Sequence, residues 1–293
     1  LPKLLANLDK EISQNLKMIL KKRGVDIHTG ASLAKIEEDP AGGFICHYTE
    51  KDKEQSVSSQ YVLCAVGRKP NAAGLFLDPA DLADVTGGDA ALTTKHLEAA
   101  AQTAHDLGIT MERGFIETDA YGQTGAPGIY AIGDIVKGIQ LAHVASAQGI
   151  TAAEKIAGHA PNVDLSIVPS CIYTSPEIAS VGITEEDAKA SGTPVKVGKY
   201  ITSANGKSLI SKEERGFVKI IAHADTNEIL GAQMMCARAT DMIGEMATAI
   251  ANKLTPAKLL AGMRAHPTYN EAVGEALEEL EGGAIHMAPK KKK

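Results

Sequence analysis

The stretch after Pro161 constrains the fold most, because its pattern closes most readily as an antiparallel sheet packed against helices. Val195 to Ile201, Gly216 to Ala222 and Ile229 to Met235 have strand length and a largely apolar, β-branched character. Asp225-Thr226-Asn227 supplies a turn between the last two. Ser170 to Thr174 and Ala179 to Gly182 add shorter strands on either side of Ser175-Pro176. Thr184 is placed to cap a helix to about Ala190, and Thr255-Pro256 to open another. Between Thr240 and Asn252, Met242, Ile243, Met246 and Ile250 recur at helical spacing, and the methionines read as packing. This is an α+β pattern.

The same region ends on Ala265-His266-Pro267-Thr268-Tyr269-Asn270-Glu271, which joins a histidine to a carboxylate across one tight turn. Thr268 is placed to cap the next helix, with Glu271 completing a capping box. Val273, Ala276, Leu277 and Leu280 then follow helical spacing until Gly282-Gly283. Two readings stay open on these residues alone. Glu271 is a capping residue beside an ordinary loop histidine, or it orients His266 so that the imidazole acts as a base.

Upstream, the pattern is α/β. Asp9 caps a helix to about Arg23 with Ile12, Leu16, Ile19 and Leu20 on one face. Val25 to His28, Leu33 to Ile36 and Phe44 to Tyr48 read as short strands. Tyr61 to Val66 is a continuous apolar run that suits a parallel strand buried on both faces. Gly67-Arg68 would stand at its carboxyl end, where ligands of open α/β sheets collect. Residues 75–112 are Ala- and Asp-rich, with a helix expected over Thr94 to Leu107, and read as an insertion or linker. Gly114 to Asp119 is a short strand, and Gly128 to Asp134 a buried strand ending in Gly-Asp. On its own that dipeptide is a turn. In a functional reading Gly133 admits a ligand close to the backbone and Asp134 accepts a sugar-like hydroxyl. A helix from Ala142 to Ile156 follows, its N-terminus presenting free N–H groups.

Composition narrows the partners. A net charge of -6, a pI near 5.9, no Trp and 4% aromatics argue against nucleic acid. Lys290 to Lys293 reads as a solvated tail. No stretch is apolar for long enough to cross a membrane, and Leu1-Pro2-Lys3-Leu4-Leu5 does not resemble a secretory signal. Cys46, Cys64, Cys171 and Cys236 form no C-x-x-C, C-x4-C or zinc spacing, and Cys64 is expected to be a buried, inert thiol. That usage fits a reducing, cytoplasmic setting.

Four stretches, in this order, carry a resemblance. They are Val66-Gly67-Arg68-Lys69-Pro70-Asn71, Gly128 to Asp134, Tyr173-Thr174-Ser175-Pro176-Glu177-Ile178-Ala179-Ser180-Val181-Gly182, and His266 to Glu271. Together they resemble the dihydrolipoamide dehydrogenases of the pyridine nucleotide–disulfide oxidoreductase family. The resemblance implies partial nucleotide-binding, Rossmann-like segments followed by an α+β dimerisation domain with an antiparallel sheet. Residues 1–74 would be the C-terminal half of an NAD-binding domain, 113–160 a second segment of an FAD-binding domain, and 165–293 the interface domain. It implies His266 as general base toward a dihydrolipoamide thiol, with Glu271 orienting it. It also implies Gly133, Asp134 and the Ala142 N–H toward FAD, and Ala65, Val66, Gly67, Arg68 and Leu33 toward NAD. The implied partners are a second copy of the chain and the lipoyl domain of a 2-oxoacid dehydrogenase or glycine cleavage complex. A cis His266-Pro267 bond is expected.

The departures count equally. The family's first FAD-binding unit, its redox-active Cys-x4-Cys pair and its glycine-rich NAD turn are absent from these 293 residues. The family places them upstream, so the chain reads as the C-terminal portion of a longer oxidoreductase. The alternatives are a catalytically inert dimerisation fragment and a disulfide reductase of the glutathione or mercuric type.

Overall fold

The computed structural model describes residues 1–77, 90–213 and 215–287. The chain divides into two compact units, one formed by Leu1–Leu63 with Ile167–Lys293 and the other by Cys64–Ser166. It is a mixed α/β protein whose named strands pair antiparallel.

In the first unit, α1 (Lys10–Lys22) begins at Asp9, whose side chain accepts from the Glu11 N–H, as expected for an N-cap. The strands β1 (Ser32–Glu38), β2 (Phe44–Glu50) and β3 (Lys53–Ser59) follow as one antiparallel sheet. The first two match the expected strands. The third, polar apart from Val57, is carried by pairing to β2 across the left-handed Lys51 and Asp52. No strand forms over Val25 to His28.

The second unit holds α2 (Ala90–Asp106), the two-stranded ribbon β4 (Met111–Glu112) and β5 (Phe115–Ile116), and α3 (Ala142–Ile156). Its core is small, built on Ala104, Ile109, Ile116, Ala126, Ala131 and Val136. Two expectations fail here. Tyr61 to Val66 is not a strand: Tyr61, Leu63 and Val66 are each more than 80% exposed, and Cys64 is exposed rather than buried. Gly128 to Asp134 keeps only a single bridge, between Tyr130 and Gln123, and ends in a 3-10 turn over Gly133–Ile135. A doubly buried parallel strand needs a hydrogen-bonded neighbour on each side. The described residues supply none.

The rest of the first unit is the α+β body. It comprises β6 (Ser170–Ile172), β7 (Glu177–Gly182), α4 (Glu185–Ser191), β8 (Val195–Ile201), α5 (Gly206–Ile210), β9 (Phe217–His223), β10 (Ile229–Cys236), α6 (Ala239–Ala251), α7 (Pro256–Leu260) and α8 (Glu271–Leu280). The five strands form one antiparallel sheet in the order β6-β7-β10-β9-β8. Strand alternation sends its side chains to two cores. Val218, Ile220, Ala232 and Met234 face Met242 and Met246 of α6 and Val273 and Leu277 of α8. Ile178, Phe217 and Met235 face Ile12, Leu16 and Ile19 of α1. Helices on both faces make three layers.

Two residues hold these layers together. Gly198 of β8 lies under α8, where an added Cβ would come 2.0 Å from the Ala276 carbonyl oxygen and 2.7 Å from Leu280 Cγ. Lys219 of β9 points to the α1 face with its side chain 6% exposed. Its Nζ lies 2.9 Å from Asp9, 3.3 Å from Glu11 and 2.6 Å from Glu185. Burial alone would lower the Lys219 pKa, but the Glu185 and Asp9 carboxylates raise it above the usual lysine range. The ammonium is therefore charged throughout the neutral range, and its stabilisation is lost only at strongly alkaline pH.

Gly198→Ala is expected to destabilise the protein by about 3 kcal/mol, because a backbone carbonyl cannot yield like a side-chain tip. Lys219→Met, which leaves the Asp9 carboxylate buried without its cation, should cost about 3–5 kcal/mol, with part recovered in Lys219→Met/Asp9→Asn. Urea unfolding measures both. A loss below about 1 kcal/mol for either single variant would contradict the packing described.

Candidate active site

The turn before α8 brings the histidine and carboxylate together. His266 Nδ1 lies 2.9 Å from Glu271 Oε1, while Glu271 Oε2 accepts from the Thr268 N–H at 2.8 Å. The two sequence readings are thus compatible, since one carboxylate oxygen serves each. The expected capping box forms only by half. The Thr268 hydroxyl donates to the Ala265 carbonyl at 2.7 Å instead of accepting from the helix, and Asn270 is the N-cap, without a side-chain cap bond. The hydroxyl is diverted because the Ala265 carbonyl lies within its own turn. The His266–Pro267 peptide is cis.

Partial burial pushes the Glu271 carboxyl up, but the Thr268 N–H and the His266 imidazole more than offset it and hold the group below the usual glutamate range. At neutral pH Glu271 is therefore ionised and can only accept. Nδ1 of a neutral His266 must then carry the proton, which leaves the Nε2 lone pair free. The ring is 76% exposed, so that lone pair is open to an incoming acid. Chemically, the pair is an imidazole held by a carboxylate, an arrangement that can serve as an oriented base.

Residues that no sequence pattern singled out fix this turn. Glu245 of α6 receives Arg264 Nη2 on one oxygen and Asn270 Nδ2 on the other, at 2.9 Å for Asn270, and so ties both ends of the turn to the helix. Asn205, 3% exposed, donates to the Thr268 carbonyl at 3.1 Å. The nearby Tyr200 phenol is pushed up to about 12 by burial and then by Glu275 and Glu271, and stays protonated. A second pair, His286 with Glu275, lies one turn along α8. The Glu275 carboxylate raises the His286 pKa and also accepts from its backbone N–H, which folds residues after Gly283 back on the helix.

The other expected site residues lie mostly in the second unit. Gly133 has φ 79°, and its N–H donates to Gln148 Oε1 at 2.7 Å. The Asp134 carboxylate pairs with Arg68 at 3.3 Å, which joins a residue expected at FAD to one expected at NAD. Ala142 is the first residue of α3, which begins without a side-chain cap at Leu141. Ala65, Val66 and Gly67 lie in an exposed loop, with open space around Gly67. Leu33 is on β1, in the first unit. A carboxylate, a left-handed glycine and an uncapped helix N-terminus fit one edge of a flavin nucleotide. They supply no glycine-rich cradle for a pyrophosphate, so the fit is partial for both nucleotides.

The cysteines carry no redox pair, all four being free thiols. Burial pushes the Cys236 thiol up to about 12 and raises that of Cys171, which makes both poor nucleophiles. Among the described residues no cluster of His, Cys, Asp and Glu could hold a metal, and no helix is long and apolar enough to cross a membrane.

Comparison with known proteins shows the family of the chain. Residues 168–277 match the dimerisation domain of pyridine nucleotide-disulphide oxidoreductases, and residues 1–97 and 97–149 match the pyridine nucleotide-disulphide oxidoreductase model. A dihydrolipoyl dehydrogenase of Bacillus subtilis (strain 168) is 39% identical over 287 residues, covering 97% of this chain and 55% of that protein. One from Geobacillus stearothermophilus is 36% identical, covering 98% and 55%. Among solved structures, LpdA from Mycobacterium tuberculosis aligns with a TM-score of 0.75 at 25% identity, over 93% of this chain and 53% of that one. The HOCl-induced flavoprotein disulfide reductase RclA from Escherichia coli shares the fold, with a TM-score of 0.74 at 23% identity over 94% and 56%. The chain thus spans about half the length of the relatives it matches, and it belongs to the pyridine nucleotide-disulphide oxidoreductase family.

Proposed function

We propose that the chain carries the proton-handling half-site and the dimerisation body of an FAD- and NAD-dependent dihydrolipoamide dehydrogenase. The observation that carries this reading is the exposed His266 imidazole held through Nδ1 by an ionised Glu271. In this reading Nε2 takes the proton of a dihydrolipoamide thiol. That leaves a thiolate, the reactive species, on the substrate and an imidazolium on His266. Glu271 stabilises the imidazolium across the Nδ1–H, as the carboxylate of a hydrolase triad does. Glu245 and Asn205 act as positioning residues for the turn.

Flavin, when bound, supplies the path by which electrons of a dithiol reach a nicotinamide nucleotide. Asp134, Gly133 and the Ala142 N–H would hold its edge, and Ala65 to Arg68 with Leu33 would contribute to the nicotinamide nucleotide site. A second copy of the chain would dock on the dimerisation body, and a lipoyl domain of a 2-oxoacid dehydrogenase or glycine cleavage complex would deliver the dithiol. A cytoplasmic setting fits the free thiols.

A second reading has its own support. In that reading these residues, among which no pair of cysteines has redox spacing, serve as a dimerisation module. The visible spectrum separates the readings. A flavin band supports the enzyme, and a colourless dimer supports the module.

In flavin-loaded enzyme that holds a redox-active disulfide together with these residues, His266→Gln should lower kcat/KM for dihydrolipoamide by about 10²–10⁴ while leaving NADH oxidation by ferricyanide unchanged. Glu271→Gln should fall in the same assay by a smaller factor, because the ring remains but its tautomer is no longer fixed. Full dihydrolipoamide turnover in His266→Gln would sink the base assignment.

A further inference from the structure

α8 carries two histidine–carboxylate pairs on one face, because Glu271 and Glu275 stand one turn apart. The first is the His266 pair. The second takes no part in that chemistry and is built differently. Glu275 is 8% exposed, and one residue, His286, serves both of its oxygens. Oε1 is held by the ring Nδ1, and Oε2 accepts from the backbone N–H at 3.1 Å. Among the described residues no other group bonds to this carboxylate. A buried carboxylate is stable only with partners, so Glu275 depends on the segment after α8 being docked.

The chain reverses at Gly282, whose φ is 82°, and the Gly283 N–H donates to the Glu278 carbonyl. Beyond the reversal Ile285 is exposed, whereas Met287 packs against the core that α8 shares with the sheet. One apolar side chain and one titratable ring therefore hold the segment. The charged groups that bear on His286 are Glu275, Glu278 and Glu271, all of α8. Lys196 of β8 bonds the Leu280 carbonyl at 3.3 Å and Glu281 at 3.5 Å, and Arg264 bonds Glu245, so both cations are engaged elsewhere. Tyr200 of β8 stays protonated. The Glu275 carboxylate raises the His286 pKa above its ordinary value, so the docked segment binds a proton more tightly than a free one. Docking is strongest below the ordinary histidine pKa, and that gain is lost as pH rises through the raised one.

We propose that residues 283–287 form a proton-dependent latch, in which protonated His286 closes the C-terminal segment onto Glu275 and sets a positive charge near Glu271. The latch stands on its own contacts. Only its service to the base, keeping Glu271 ionised beside His266, rests on the reading under which His266 takes a thiol proton. His286 is among the charges that lower the Glu271 pKa.

The test is NMR relaxation of the full chain, with the backbone order of Ile285, His286 and Met287 as the measure of docking. At about pH 5.5 their order parameters should be near ~0.85, as in a rigid helix, and at about pH 9 they should fall below ~0.6. The midpoint should coincide with the titration of the His286 ring. Glu275→Gln should loosen the segment at both pH values and return the His286 midpoint to the ordinary range, with circular dichroism checking that the chain remains folded. His286→Arg, charged throughout, should hold the segment at about pH 9, and His286→Gln should release it at about pH 5.5. Carbon-13 titration of the Glu271 carboxyl reads the coupling, and His286→Gln should raise its midpoint by about 0.3 pH unit, a change of about twofold in proton affinity. Order that is equal at the two pH values, or a His286→Arg segment that loosens as the wild type does, would overturn the latch. A Glu271 midpoint identical in wild type and His286→Gln would overturn the coupling. His266→Gln should leave the order of residues 285–287 and its pH dependence as in wild type, so failure of the base and failure of the latch give different results.

Discussion

The placement of the His266–Glu271 pair depends on a contact that involves neither the histidine nor the carboxylate. α8 lies directly on the sheet because Gly198 offers no side chain where Ala276 and Leu280 approach β8. Ala272, Val273, Ala276 and Leu277 are then at most 1% exposed, which fixes the helix in rotation as well as in depth. Glu271 is its first residue, so its carboxylate emerges at a determined point above the sheet. From there it reaches back to the Thr268 N–H and the His266 ring. The exposed chemistry is thus set by a buried backbone approach.

The opposite face of the sheet works by charge as well as by burial. Three apolar residues of α1 pack on Ile178, Phe217 and Met235, and the Lys219 ammonium fixes the helix start through Asp9 and Glu11. Fully satisfied, such a cluster specifies one docking arrangement, and half satisfied it would be a liability. Lys199 adds a second cation on Glu11. With α1 so held, Arg23 beyond its last turn becomes part of the wall of a cleft that Tyr269 also lines. The two faces therefore divide the work, one placing the His266–Glu271 pair and the other shaping the surface beside it.

Much of this was legible in the sequence, for physical reasons. The strand Val195–Ile201 was readable to the residue, and the helix Ala142–Ile156 and the long strands of the α+β body were readable within a position or two. Those segments find their partners within the described residues, so local pattern and tertiary demand agree. Tyr61 to Val66 misled because an apolar run implies burial only when neighbouring strands are there to bury it. The Thr268 cap misled because a hydroxyl has a choice of partners. Lys219 with Asp9, separated by 210 positions, and Glu245 with Arg264 had no local signature at all.

An ionised Glu271 beside Nδ1 requires that His266 carry its proton there. Two-bond nitrogen–proton correlation spectra of the histidine ring at neutral pH report that tautomer directly. A protonated Nδ1 and a bare Nε2 are expected for His266, collapsing to a mixture of tautomers in Glu271→Gln. A protonated Nε2 in the wild-type chain, or a spectrum unaltered in Glu271→Gln, would contradict it.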